Sequence, residues 1–417
     1  MLLLKAPEHI LNSTVQLSGS KSISNRLLIL KQVLGLNTRL ENISTSEDTQ
    51  HLQKALQQII NRTATSIDIG HAGTDMRFLT AYLSITEGNW TLTGSDRMKQ
   101  RPIGELVNAL RLLGADISYL EKENFPPLKI NGKKLKGGKI EIDGSISSQF
   151  ISALLLIAPK FENGLELTLK NEIVSWPYIL MTLDLLSEFG MKVSTVLNTI
   201  NVLTTQNKKQ ETRNKTFFVE SDWSAASYWY SLIALSKNGT VILNGLSKSS
   251  SQGDSVLPEI YKELGVSSHF KDDQLILTKS KNITKHFIYN FTNCPDLAQT
   301  VAVTCLGLGI KAELTGLKTL KIKETDRILA LKNELEKFGA EVSVTENSIG
   351  INDKRLRIQD TLVNINTYND HRMAMSFAPL ALVFGPLGIN DPGVVAKSYP
   401  LFWEDLKSVG FSVNLQP

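Results

Sequence analysis

A recurring pattern of hydrophobic and polar positions divides the chain into similar segments. In each copy an apolar stretch with helical spacing ends at a hydrophobic residue and a glycine, and a short apolar–polar alternation follows. This order predicts a helix that the glycine terminates and a strand that begins soon afterwards. The five glycines are roughly 70–76 residues apart, a period too long for a solenoid, and they are Gly114, Gly190, Gly265, Gly339 and Gly410.

A sixth copy, which lacks the glycine, is expected at Ala55–Ile60. Six copies predict six α/β units, and a chain of 417 residues is long enough for two domains of three units each. The polar stretch 206–215 is expected to be exposed, and a β-like segment follows it. We therefore predict a crossing near residue 220, with one domain at 21–219 and the other formed by 1–20 and 220–417.

Composition and charge exclude several classes of protein. Hydrophobic residues make up 42% and charged residues 21%, as in ordinary soluble proteins, and the net charge of +4 argues against nucleic-acid binding by bulk charge. Cys294 and Cys305 cannot form a disulfide framework or a multi-cysteine metal site, so we expect two small buried hydrophobes. Free cysteines, without a signal peptide or a membrane-spanning apolar run, predict a cytoplasmic protein.

The stretch Gly19–Arg26 predicts a tight turn that leads into a helix, because glycine and several helix-capping residues precede an apolar run. Backbone N–H groups at a helix start bind anions, and Lys21 and Arg26 add two positive charges. The stretch is not a Walker A loop, since the second glycine and its spacing are missing. Taken alone, it fits a solvated turn before a surface helix equally well.

Further stretches share this design of a turn, a helix start and cationic or hydroxyl side chains. Each alone fits a simple cap or a solvated surface, but their repetition favours a site for ligands with several negative charges. These stretches are Gly70–Arg77, Asp96–Arg101, Ser145–Gln149, Lys321–Arg327 and Tyr368–Arg372, with Lys397 as a further candidate. No metal site is expected, because neither His71 nor His371 has a second His or Cys at ligand spacing.

In their order along the chain, these motifs resemble those of the 5-enolpyruvylshikimate-3-phosphate (EPSP) synthase family. The resemblance covers nearly the whole chain and rests on Gly19-Ser-Lys-Ser-Ile-Ser-Asn-Arg26, Ala72-Gly-Thr-Asp-Met-Arg77, Arg97-Met-Lys-Gln-Arg-Pro-Ile103, Ser147-Ser-Gln149, Pro295-Asp296, Lys323-Glu-Thr-Asp-Arg327, Tyr368-Asn-Asp-His-Arg-Met-Ala-Met375 and the segment from Asp391-Pro to Lys397. It implies an α/β fold of two domains, each built from three βαβαββ units, with the active site in the cleft between the domains.

The resemblance also implies a reaction. The enolpyruvyl group of phosphoenolpyruvate would pass to the 5-hydroxyl of shikimate 3-phosphate with release of phosphate, a step toward chorismate and the aromatic amino acids. These small molecules would be the partners of a cytoplasmic monomer that binds neither nucleic acid nor membrane and needs no metal or organic cofactor. Glyphosate, the inhibitor of the family, would occupy the phosphoenolpyruvate position.

The family pattern assigns roles to individual residues. Asp296 matches the general base, Glu324 the proton donor, and Lys21 a further catalytic residue. The positions that match shikimate 3-phosphate ligands are Lys21, Ser22, Arg26, Ser147, Ser148, Gln149, Ser175, Asp296 and Lys323. The positions that match phosphoenolpyruvate ligands are Lys21, Gly73, Arg101, Gln149, Arg327, Arg372 and Lys397.

The chemistry of the implied reaction requires these residue types. The two substrates bring two carboxylates and two phosphates together, and Arg and Lys side chains can hold such groups. Protonation of C3 of phosphoenolpyruvate needs an acid, and removal of the 5-hydroxyl proton needs a base. Two carboxylates can divide these tasks if their surroundings separate their pKa values. Asp296 also precedes an apolar helical run, so it could instead be a simple helix N-cap.

Three positions depart from the family pattern: His71 replaces the usual Asn, Phe78 the usual Pro, and Thr319 an Asn that often contacts shikimate. One alternative is UDP-N-acetylglucosamine enolpyruvyl transferase, which uses a loop cysteine in the first domain, whereas both cysteines here lie in the second half of the chain. The other is a non-catalytic anion-binding protein of the same fold, which would not need both Asp296 and Glu324.

Overall fold

The computed structural model describes residues 1–9, 12–203, 216–272, 274–353 and 362–416, so the stretch 206–215, predicted to be exposed, lies outside the described residues. The chain divides into two compact units. The discontinuous unit consists of Met1–Gly19 and Glu220–Pro417, and the continuous unit is Ser20–Val219. Among the helices in the described ranges, none is both long and apolar enough to cross a membrane.

The described strands are short, three to ten residues each. In chain order they are β1 Leu2–Lys5, β2 Ser13–Gln16, β3 Arg39–Glu41, β4 Ser66–Asp68, β5 Gly88–Thr93, β6 Asp116–Tyr119, β7 Leu128–Gly132, β8 Gly138–Asp143, β9 Leu165–Lys170, β10 Lys192–Val196, β11 Thr199–Leu203, β12 Thr216–Phe218, β13 Thr240–Asn244, β14 Leu264–Lys271, β15 Gln274–Ile283, β16 His286–Asn290, β17 Lys311–Thr315, β18 Ala340–Val344, β19 Ser348–Asp353, β20 Val363–Ile365, β21 Leu387–Ile389 and β22 Ser412–Leu415.

The described α-helices separate these strands. They are α1 Lys21–Leu34, α2 Glu47–Ile60, α3 Gly73–Ser84, α4 Asp96–Lys99, α5 Gly104–Leu112, α6 Ser148–Ile157, α7 Trp176–Glu188, α8 Trp223–Leu235, α9 Leu257–Lys262, α10 Ala298–Leu308, α11 Arg327–Glu336, α12 His371–Phe377, α13 Ala381–Phe384 and α14 Phe402–Ser408. Short 3-10 turns lie at Gly253–Val256, Pro295–Leu297, Lys318–Ile322 and Pro392–Lys397, among other places.

In the described ranges, five four-stranded sheets share one strand order. In each, two parallel strands lie at one side and two further strands are added antiparallel, as in β4-β5-β7-β6, β8-β9-β11-β10, β2-β13-β15-β14, β16-β17-β19-β18 and β20-β21-β1-β22. A parallel pair needs a crossover connection, which a helix usually supplies, whereas antiparallel neighbours need only a turn. The helices before and between these strands complete βαβαββ units, so the predicted fold class is confirmed.

The sixth sheet has fewer strands than the four that a full copy of the repeat would give. In the described part of the chain it contains two parallel strands, β3 and β12. The degenerate copy at Ala55–Ile60 forms the end of α2, which stops at Asn61 without a left-handed glycine. Within the described ranges no antiparallel pair follows α2, because the next strand, β4, already belongs to the following sheet.

Four of the five predicted glycines terminate a helix. Gly114, Gly190, Gly339 and Gly410 have φ between 80° and 101°, and each lies between the end of a helix and the next strand. Such a left-handed conformation after a helix favours glycine. Gly265 is the exception, since it lies inside β14 at an irregularity between Leu264 and Val266, and there the prediction was wrong.

Each unit has its own hydrophobic core. In the discontinuous unit the buried helices α8, α10 and α12 pack on one another, and in the continuous unit α1, α3 and α6 do so. Strands such as β17 alternate exposed and buried residues, so one face of the sheet covers the core. Cys294 and Cys305 are free and buried, as expected from the sequence.

Candidate active site

In the continuous unit, side-chain hydrogen bonds hold several helix N-termini together. Asn25 of α1 donates to Asp75 of α3 at 2.9 Å, and Gln149 of α6 donates to Thr74 of α3 at 3.3 Å. The first turns of α1, α3 and α6 are therefore neighbours. Because helix N-termini carry free N–H groups and the positive end of the helix dipole, this arrangement favours anions.

Arg26 joins α1 to α6 and α7 and is itself buried. Its Nε donates to Thr182 at 2.8 Å, while its Nη2 donates to Ser152 at 3.0 Å and to the carbonyl of Tyr178 at 3.2 Å. Burial lowers the pKa of Arg26 to about 10, so the guanidinium stays charged at neutral pH. The predicted ligand of shikimate 3-phosphate therefore also links α1, α6 and α7 within the protein.

Phe78 supports this buried cation. The guanidinium carbon of Arg26 lies 5.4 Å from the centre of the Phe78 ring, a distance at which a cation is attracted to an aromatic face. The departure from the family pattern at this position thus has a structural role. An aromatic residue replaces proline where it contacts Arg26.

Arg101 of this unit is a buried cation without a side-chain partner among the described residues. It is 7% exposed, and its side chain makes no hydrogen bond or ion pair with any residue in the described ranges. Its guanidinium lies against Gly73, the first residue of α3, where a Cβ would come within 2.8 Å of the guanidinium carbon. Because an unpaired buried charge is costly, this side chain is suited to bind an anion.

Lys21, the first residue of α1, has a carboxylate partner. Its Nζ lies 2.8 Å from Oδ2 of Asp48, which is buried at the start of α2. The sequence motifs did not single out Asp48. A signal was present, since Asp48 follows Ser46 at a capped helix start, but nothing local indicates that Lys21 is its partner.

The serines predicted as ligands lie at the same helix starts. Ser147 caps α6 and accepts a hydrogen bond from the backbone N–H of Gln149 at 3.3 Å, and Ser148 is buried. Ser175 precedes α7 with φ of 56° and makes no cap bond. A left-handed residue other than glycine is uncommon and often marks a functional site. The Ser22 carbonyl accepts from Arg26, which lies one helical turn further along α1.

In the discontinuous unit, three carboxylates surround Arg327. Arg327, which is 2% exposed, pairs with Asp370 through Nε at 2.6 Å, with Asp296 through Nη1 at 2.7 Å, and with Glu324 through Nη2 at 2.9 Å. Burial alone would lower the pKa of Arg327, but the carboxylates more than offset this and raise it above its ordinary value. One arginine thus fixes the predicted base and the predicted proton donor together.

The other predicted cations join the same cluster. The Nζ of Lys397 lies 2.9 Å from Oε1 of Glu324, and the Nζ of Lys323 lies 3.6 Å from Oδ1 of Asp296. Nη2 of Arg372 lies 3.3 Å from Oδ2 of Asp296. All the residues predicted as functional in this unit are therefore brought together.

Asp296 is held as a charged carboxylate. Burial would raise its pKa, but Arg372, Lys323 and Arg327 together hold the pKa of Asp296 well below its usual range. Asp296 lies in the 3-10 turn Pro295–Leu297, and the N-cap residues of this turn and of α10, Cys294 and Leu297, make no side-chain cap bond. The helix-cap interpretation therefore fails, and the carboxylate is directed to cations instead.

This lowered pKa predicts a loss of stability in acid. The contribution of Asp296 is fully present above the unfolded pKa of about 3.9 and is lost as the pH falls toward the folded value. We expect the melting temperature of the parent protein to fall more between pH 4 and pH 3 than that of the Asp296→Asn variant. Differential scanning calorimetry on both proteins measures this, and equal losses would contradict the pairing.

Comparison with known proteins identifies the family. The family model for EPSP synthase (3-phosphoshikimate 1-carboxyvinyltransferase) matches residues 5–406. The chain belongs to the EPSP synthase family. This confirms the family predicted from the sequence motifs.

Curated EPSP synthase relatives match over nearly their full length. A protein of Bacteroides fragilis named 3-phosphoshikimate 1-carboxyvinyltransferase is 47% identical over 413 residues, which cover 99% of this chain and 98% of the relative. A protein of the same name from Vibrio atlanticus is 38% identical over 423 residues, covering 96% and 97%. The solved EPSP synthase of Acinetobacter baumannii matches the fold with a TM-score of 0.77 at 22% identity, covering 99% of this chain and all of the other.

Two carboxylates that pair with predicted site residues were not themselves predicted. Asp370 is fully buried and chelates Arg327 through both oxygens, while Asp48 pairs with Lys21. Asp370 lies within the motif Tyr368–Met375, two residues before the predicted ligand Arg372, so the motif was a signal that could have identified it. Within the described ranges, no group of three or more His, Cys, Asp or Glu residues is arranged to hold a metal ion.

The two remaining departures from the family pattern have different surroundings. His71 is exposed, and its Nδ1 lies 2.8 Å from the hydroxyl of Ser95, so it belongs to the turn before α3. Thr319 lies in the 3-10 turn Lys318–Ile322, and its Oγ1 is buried without a hydrogen-bond partner in the described part of the chain. His71 therefore has a local structural contact, whereas Thr319 has an unsatisfied hydroxyl.

Proposed function

We propose that this chain transfers the enolpyruvyl group of phosphoenolpyruvate to the 5-hydroxyl of shikimate 3-phosphate and releases phosphate. The activity rests on membership of the EPSP synthase family. The observation that carries the residue assignment is the cluster around Arg327, where a base candidate, an acid candidate and several cations are within bonding distance. A protein that only bound anions would not need two carboxylates among those cations.

The base role of Asp296 follows from the competition for its cations. In the cluster the Asp296 carboxylate forms ion pairs with Arg372, Lys323 and Arg327. Substrate carboxylate and phosphate groups that engage Arg372 and Lys323 would weaken those pairs, which raises the proton affinity of Asp296. Asp296 then accepts the proton of the 5-hydroxyl as the oxygen attacks C2 of phosphoenolpyruvate.

Glu324 is the complementary proton donor. It lies between Lys397 and Arg327, and both cations match the family's phosphoenolpyruvate ligands. Protonation of C3 makes C2 electrophilic, and the tetrahedral intermediate then expels phosphate when C3 loses a proton again. The proposed reaction therefore needs an acid and a base, but no redox or group-carrying cofactor.

The cations of the continuous unit complete the proposed set of substrate ligands. Arg101 lacks an ion-pair partner in the described residues, and Lys21 lies at the start of α1. With Gly73 and Gln149 they are proposed phosphoenolpyruvate ligands. Ser22, Arg26, Ser147, Ser148, Gln149 and Ser175, together with Lys21, are proposed to contact shikimate 3-phosphate. Among these, Arg26 acts mainly by joining helices, since its nitrogens are engaged within the protein.

A phosphate-release assay with both substrates tests the proposed reaction. We expect phosphate only when phosphoenolpyruvate and shikimate 3-phosphate are both present. Release with UDP-N-acetylglucosamine in place of shikimate 3-phosphate would favour the related transferase, and no release with either acceptor would favour a non-catalytic protein. The position of the cysteines already opposes the related transferase, since both are buried in the discontinuous unit.

The organisation of the protein is proposed on the same basis. The two compact units are taken as the two domains of the family, with boundaries at residues 19/20 and 219/220. We propose a cytoplasmic location, which is consistent with the two buried free thiols. We also propose a monomer whose partners are its small-molecule substrates.

Replacing Gly73 with Ala should weaken glyphosate binding more than phosphoenolpyruvate binding. The added methyl would press on Arg101, whose flexible side chain can move aside. Glyphosate has one more atom between its two anionic groups than phosphoenolpyruvate, so it tolerates less loss of space. We expect the inhibition constant to rise more than about tenfold and the phosphoenolpyruvate KM to change less than about threefold. Equal losses would mean that the glycine serves only to place Arg101.

A further inference from the structure

A buried carboxylate outside the proposed site lies close to Arg372. Asp254 is 2% exposed and belongs to the 3-10 turn Gly253–Val256. One of its oxygens, Oδ2, bonds the hydroxyl of Ser224. The other, Oδ1, is buried and has no hydrogen-bond partner in the part of the chain that the structure describes. Burying a carboxylate oxygen without a hydrogen bond destabilises the folded protein, so such a group calls for a functional explanation.

Ser224 connects this carboxylate to the site. It is the second residue of α8, and Nη2 of Arg372 donates to its hydroxyl at 3.3 Å. The same guanidinium donates through Nη1 to the backbone carbonyl of Asp296 at 3.2 Å. Arg372 therefore contacts Asp296 and also contacts the pair formed by Ser224 and Asp254.

The turn that carries Asp254 is fixed to the start of α8. The side-chain oxygen of Gln252 accepts a hydrogen bond from the backbone N–H of Trp223 at 3.1 Å. Its Nε2 donates to the carbonyl of Ser221 at 2.8 Å and to Glu220 at 2.9 Å. Asp254 and Ser224 are thus held on one rigid piece of structure.

We propose that Asp254 is a positioning residue that orients the hydroxyl of Ser224, which in turn holds the guanidinium of Arg372 for an anionic group of the substrate. This inference rests on the proposed function. When a substrate anion competes with Asp296 for Arg372, the bond to Ser224 still restrains the guanidinium. Burial raises the pKa of Asp254 to about 7, against the opposing effect of Arg372.

The test uses Ser224→Ala, Asp254→Ala and the double variant of the full chain. Steady-state phosphate release gives the KM for each substrate, and calorimetry gives the melting temperature. We expect each single variant to raise the phosphoenolpyruvate KM about tenfold, with the shikimate 3-phosphate KM changed less than about twofold. The double variant should be no worse than Ser224→Ala, because Asp254 acts through the serine.

Two further variants separate positioning from folding. Asp254→Asn keeps an oxygen in place for Ser224 and should restore the phosphoenolpyruvate KM to within about threefold of the parent. Ser231→Ala removes another buried hydroxyl of α8, one that bonds Thr304, and should leave both KM values unchanged. A phosphoenolpyruvate KM that is unchanged in Asp254→Ala, or additive losses in the double variant, would overturn the proposal. Failure of the proposed function would appear differently, as no turnover in the unaltered protein.

Discussion

Turnover of the Asp296→Asn variant is expected to be about a hundredfold or more below that of the parent. Asparagine has nearly the shape of aspartate but cannot accept the 5-hydroxyl proton. Shikimate 3-phosphate should still bind within about tenfold of the parent affinity, because the amide can keep one hydrogen bond to the hydroxyl. Phosphate release and equilibrium binding of shikimate 3-phosphate, measured on the same preparation, separate the two effects.

The matched control is Asp326→Asn. Asp326 is a true helix cap, whose side chain accepts a hydrogen bond from the backbone N–H of Leu329 at 3.1 Å. Asparagine caps helices about as well as aspartate, so turnover and stability should both survive in the control. If Asp296→Asn also turned over at close to the parent rate, Asp296 would not be the base, and Glu324 or Lys21 would have to be considered for that proton.

The surroundings of Asp296 also predict a moderate loss of stability in this variant. Removing its charge leaves Lys323 and Arg372 near one another with one carboxylate fewer, although Arg327 keeps Asp370 and Glu324. The melting temperature should therefore fall by several degrees without loss of folding. From the sequence alone no such fall was expected, because the motifs do not show which cations pair with Asp296.

The repeated helix–glycine–strand pattern predicted the α/β units because it is local. A left-handed glycine such as Gly339 ends a helix for reasons contained in a few residues. The pattern failed where tertiary pairing decides the outcome. The end of α2 has the sequence of another repeat, yet no antiparallel pair follows it in the part of the chain that the structure describes. Gly265 lies at an irregularity of β14 and does not end a helix.

In the candidate site, too, features specified by neighbouring residues could be predicted, whereas contacts between distant residues could not. The motifs identified nearly every cation and carboxylate of the Arg327 cluster, because each stands at a helix start or a turn that its own sequence specifies. They did not identify which groups pair. Asp370 is 43 residues from Arg327 and Asp48 is 27 residues from Lys21. Asp254 was missed altogether, since a single aspartate in a serine-rich loop has no local signal of burial.

Arg26 illustrates how the structure can add contacts to a predicted ligand. Its motif, at the start of α1, indicated an anion ligand, and that role stays a prediction. The guanidinium also donates to Thr182, Ser152 and the carbonyl of Tyr178. These partners are more than a hundred residues away in the chain, so the motif could not show them. Arg101, which has the less distinctive motif, makes no such side-chain bonds with the described residues.

The second large effect is expected for Glu324→Gln, whose turnover should fall by about a hundredfold or more because the amide cannot deliver a proton to C3 of phosphoenolpyruvate. One oxygen of the side chain remains to accept from Lys397 or Arg327, but the other contact is replaced by an N–H₂ group facing a cation. We therefore expect phosphoenolpyruvate to bind less tightly, though by less than the loss of turnover. Glu336→Gln removes a surface charge of α11 that pairs with Lys332 and should change neither quantity.

An isotope measurement distinguishes the loss of the proton donor from a loss of geometry. Each reversible protonation of C3 turns the methylene group into a methyl, and its reversal in deuterated water leaves deuterium on the methylene carbon of phosphoenolpyruvate or product. If Glu324 is the donor, deuterium incorporation in the Gln variant should fall at least as far as turnover does. In Asp296→Asn, protonation at C3 remains possible, so incorporation should exceed turnover. Incorporation at the parent rate in Glu324→Gln would mean that another acid of the cluster is the donor. Lys397, whose Nζ lies 2.9 Å from Glu324, is then the candidate to test by substitution with Met.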